Sequence, residues 1–175
     1  MSTMFVSEEM LERVRAEHLL ESLELRYLTC SALGDQRDLS GYRRAAEAAL
    51  QSADQHLSGT RDHRFERSPS HPTIESWRIA AANRELAVAS GVLCALEAAT
   101  GILEGIPARS LHPGDRVRTV DGRAVTITSG PVEAPDLFGD CHFIFGVRPE
   151  EGEDELLDVG TEETVLRFVE MAVAA

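Results

Sequence analysis

The sequence predicts an α+β protein, an N-terminal three-helix bundle followed by a small SH3-like five-stranded β-barrel. Three observations carry that expectation. Apolar residues recur at three- and four-residue spacing up to about residue 103, the period of amphipathic helices. After Pro107 the chain changes from Ala-rich sequence to short β-branched runs separated by Gly, Pro and Asp. At 175 residues and 43% hydrophobic content the chain is long enough to bury a core in one domain or in two small ones. The expected division is a helical domain over 1–107 and an acidic barrel over 108–175.

The first helix is expected over about 7–29. Ser7 is a good N-cap, and Glu8 and Glu9 suit the positive end of the helix dipole. Its apolar positions, from Met10 through Leu28, form a wide stripe that drifts in phase, which implies contact with more than one neighbour. The stretch CSALGDQRD is a connector. Asp38 is then expected to cap a second helix over about 39–58, with Leu39, Tyr42, Ala46, Ala49, Leu50, Ala53 and Leu57 on one face and Ser58-Gly59 as its stop. Residues 59–71, charged, with Pro69 inside and Pro72 directly after, are expected to be a loop, long for a helix connection.

A third helix is expected over about 72–103, with Pro72 tolerable only in its first turn. One side carries Trp77, Ala81, Val88, Val92, Ala95 and Ala99, the other Ile79, Leu86, Leu93, Leu96 and Leu103. Two apolar sides predict a central helix. Gly91 lies inside it at a cost of roughly 1 kcal/mol relative to Ala, so either the helix bends or another backbone comes close.

In the barrel region, HPGDRVRTVDGRAVTITSG (112–130) surrounds an Asp-Gly turn. A two-residue loop at Asp121-Gly122 would set Val125 and Ile127 on the face of Arg116 and Arg118 and bury arginine. A three-residue loop, Val120-Asp121-Gly122, pairs Val117 with Val125 and requires a left-handed Gly122. A slip of one residue flips the whole face, so the second register is the expected one. Further strands are expected at 141–147, 155–159 and 164–170; the last also has a helical stripe, Glu163, Arg167, Glu170 and Ala174, and strand and helix stay open there. LHPGDRV is similar to the opening of self-splicing Hint domains, but that family implies a C-terminal His-Asn pair where this chain reads VEMAVAA, so the resemblance is set aside.

Composition excludes several chemistries. All 17 basic residues are Arg, so there is no Schiff-base Lys and no phosphate-loop Lys. The net charge of −13 is uneven: residues 111–175 hold 14 acids against 5 Arg. Such a surface repels nucleic acid and anionic lipid, so no nucleic acid and no membrane is expected among the partners. Three separated cysteines without a CxxC pair suit a reducing compartment. The N-terminus lacks the features of a signal peptide, and no run of about 18 apolar residues occurs elsewhere. The expected location is the cytoplasm, or the inside of an assembled particle.

Candidate chemistry is sparse. His56, Asp62, His63 and His71 are the candidate metal ligands, but their spacing matches no short metal motif, and a solvated surface is the expected reading over a metal site. Adjacent Cys141 and His142 point to opposite faces of a strand, which spoils a nucleophile–base pair; burial is expected for Cys141 and Cys94, and reactivity for Cys30. RPEEGEDELLD (148–158) lacks the order of a calcium loop and is expected to be a solvated hairpin tip. No GxGxxG after a strand, GxxxxGK[ST], GxSxG or HExxH occurs. No cofactor and no catalytic residue is therefore expected.

The expected function is non-enzymatic: a protein–protein interaction or assembly module, a homo-oligomer or a binder of a protein partner. The Lys-free, Arg- and Ala-rich composition suits a high-GC bacterium or its phage, including virion components. The expected partner-binding residues are Arg109, Arg116 and Arg118, a basic edge on an acidic domain, and Trp77, Val88 and Val92 on the third helix. Alternatives are a small metal-binding protein or enzyme using the His56–His71 loop and, last, a DNA-binding regulator.

Overall fold

A computed structural model describes residues 7–59, 73–135 and 141–169. Three helices, α1 (Glu8–Leu33), α2 (Ser40–Ser58) and α3 (Ile74–Thr100), precede six strands, β1 (Leu103–Pro107), β2 (Arg116–Arg118), β3 (Ala124–Pro135), β4 (Cys141–Pro149), β5 (Glu155–Gly160) and β6 (Thr164–Phe168). The protein is α+β. Two compact units divide between Leu96 and Glu97, so the last turn of α3 belongs to the sheet unit. The composition change at Pro107 lies within that second unit.

In the helical unit, Ser7 caps α1 as its sequence implies, accepting from the Met10 amide at 3.3 Å. The helix runs on to Leu33, past the expected end at 29. Leu39, not Asp38, is the N-cap of α2; the Asp38 carboxylate instead accepts from the Ser40 hydroxyl. Arg43 of α2 donates to the Ser31 carbonyl, while Arg13 of α1 donates to the Leu57 carbonyl (2.6 Å) and to Glu75 of α3 (2.5 Å). These contacts set α1 and α2 antiparallel. Glu9 accepts from Ser76 near the start of α3, and Arg26 reaches Cys94 farther along, so α1 and α3 run the same way. Leu23, Leu50, Ile79, Leu86, Leu93 and Leu96 are buried together with Ala46, Ala53, Ala82 and Ala89. Alanine at these inner positions lets helices approach closely.

Among the described residues α3 is long and apolar enough to cross a membrane by length and composition, contrary to the expectation from unbroken apolar runs. One side of it, from Ile79 to Leu96, is buried within the protein.

The sheet unit has six strands where five were expected. Its six strands, all antiparallel, follow the open order β1-β6-β2-β3-β4-β5, which leaves β1 and β5 at the edges. The additional strand, β1, takes Leu103, the last residue of the expected third helix, and the four residues after it; Gly101, at φ 81°, has already ended the helix. The β1–β6 pairing runs from Leu103↔Phe168 to Pro107↔Thr164, which settles the 164–168 segment as strand. The hairpin register is the expected one: Val117 pairs with Val125, and Gly122 has φ 84°. Thr119 and Arg123 close the three-residue loop through the Thr119 amide (2.9 Å). With that register Val117, Val125 and Ile127 enter one core with Phe143, Phe145 and Val147. The acidic run forms the turn between β4 and β5, where Arg148 pairs with Asp154 at 2.8 Å.

Candidate functional site

α3 is buried along one side only. The Ile79, Leu86, Leu93 and Leu96 side lies in the core, whereas on the other Trp77 is 67% exposed and Val88 55% exposed. The two-sided apolar pattern that predicted a central helix therefore corresponds to one packed face and one open face. Burying a large apolar side chain is worth about 1.5–3 kcal/mol, so an exposed Trp77 and Val88 forgo stabilisation that contact would supply. Toward the C-terminal half, this open side borders a groove of about 610 Å³ lined by Leu39, Gly41, Tyr42 and Ala45 from the start of α2 and by Gly91, Val92 and Ala95 from α3. A Cβ placed on Gly41 or Gly91 would meet nothing within 4 Å. Val92 lines the groove half-buried.

Sequence reasoning found Trp77, Val88 and Val92 but missed the wall that α2 supplies. A signal was present in Gly41 and Ala45, two small residues one turn apart on α2, matching Gly91 and Ala95 on α3. α1 adds a second open apolar row, with Leu11, Val14, Leu25 and Leu28 exposed opposite buried Ala16, Leu20 and Leu23. This resolves the drifting stripe of α1 into an inner and an outer face.

The three arginines expected to form a basic edge have different fates. Arg109 is exposed in the 3-10 turn at Ala108–Ser110. Arg116 pairs with Glu150. Arg118 leaves the Val117 face as expected, but its side chain is only 9% exposed, paired at 2.8 Å with Glu97, which is 3% exposed. It also donates to the Gly122 carbonyl at 3.1 Å. Both guanidiniums lie against the Phe168 ring, 4.6 and 4.7 Å from its centroid. A nearby hollow of about 810 Å³ contains Arg116 and Arg167, and Arg167 already faces Glu104 (2.5 Å) and Asp115 (3.2 Å). The hollow thus offers balanced charge, not the concentrated field that captures anions.

Of the candidate metal ligands, His56 is half-buried at the end of α2, while Asp62, His63 and His71 lie outside the described residues. Among the described residues no group of three or more His, Cys, Asp or Glu is placed to hold a metal. The cysteines reverse their expected order. Cys30 is 1% exposed, because α1 continues past it and carries it on the buried face. Cys141 is exposed, because it lies at the start of β4, beyond the core that Phe143, Phe145 and Val147 fill on the same side of the strand. Cys94 is intermediate, contacted by Arg26. His142 Nδ1 lies 2.8 Å from the Asp158 carboxylate.

At the hairpin turn the Asp121 carboxyl departs from the ordinary range. Burial pushes the Asp121 carboxyl up, but hydrogen bonds from Thr119 and Arg123 outweigh it and hold the group below the usual carboxylate value. These contacts brace the turn that sets the sheet register.

No protein-family model, curated protein or solved structure matches this chain.

Proposed function

We propose that this protein is a non-enzymatic interaction or assembly module that works by burying the open side of its helical unit against another protein chain. The observation that carries this reading is the outward face of α3, where Trp77 and Val88 stand exposed, and an apolar groove lies farther along the same helix. An exposed Trp on an open apolar face is the composition of an interface anchor, since Trp contributes disproportionately to binding. The second apolar row on α1 adds area to the same role. For the sheet unit the reading keeps a small barrel-like architecture, supported by β3, whose pairing with β4 shifts register at Ile127/Ser129 and again at Ser129/Val132.

Light scattering on the purified full chain tests this reading. The expected result is a mass above 19.1 kDa that depends on concentration, or a stable complex with a defined protein partner. A strict monomer at all concentrations, whose Trp77→Ser variant behaves identically in every binding assay, overturns it.

A further inference from the structure

We draw no further inference here: the strongest candidate, the open apolar face of α3 with the groove it shares with the start of α2, rests on exposure and small residues alone, and nothing in the structure shows what covers it.

Discussion

Replacing Arg118 by Ala is the sharpest test of how the sheet unit is held together. Arg118 and Glu97 are 9% and 3% exposed and 2.8 Å apart, so the substitution strips a guanidinium from a carboxylate that water barely reaches. Breaking a buried pair from one side costs about 3–5 kcal/mol, most of it the penalty on the charge left behind. The contact to the Gly122 carbonyl and the stacking on Phe168 are lost as well, and each belongs to the class worth about 1 kcal/mol. For a unit of this size about 3 kcal/mol lowers Tm by more than about 10 °C. Guanidinium unfolding followed by far-UV circular dichroism measures it, with Glu97→Ala as the mirror experiment. Arg118→Leu combined with Glu97→Leu should cost clearly less than either single truncation, because no charge then remains buried. A loss under about 1 kcal/mol for Arg118→Ala is the behaviour of an exposed pair and would refute this account.

Further outcomes follow from the same structure. Gly122→Ala places a side chain at φ 84° and should cost about 1–2 kcal/mol in a denaturant melt, with no cost if the turn rearranges freely. In native protein the exposed Cys141 should react with a thiol reagent well before the buried Cys30, whose labelling should await unfolding; equal rates contradict the burial. Because the folded Asp121 carboxyl titrates below its unfolded value, its contribution is present at neutral pH and is lost as pH falls from about 4 through the folded value. Carboxyl-detected NMR should place that titration below the usual range, and Thr119→Val should move it upward.

Much of the local structure was legible in the sequence. The Ser7 cap, the Ser58-Gly59 stop and the register of Val117 on Val125 depend on neighbours within a few residues, where propensity and turn chemistry decide. The open side of α3 was legible only in part: periodicity showed two apolar sides but does not say how many neighbours exist to cover them. Cys30 and Cys141 exchanged their expected exposures because helix length and the reach of the core, not residue type, set burial.

By itself the sequence determined three helices ahead of a β-rich acidic half, removed lysine chemistry, and fixed the face that each hairpin residue takes, since period and turn type are properties of the chain locally. The tertiary structure decided that Glu97 meets Arg118, that β1 pairs with β6 at one edge of an open sheet, and that Gly41 and Gly91 share a groove. Those are pairings between residues distant in sequence, and no spacing along the chain encodes which distant partner a side chain meets.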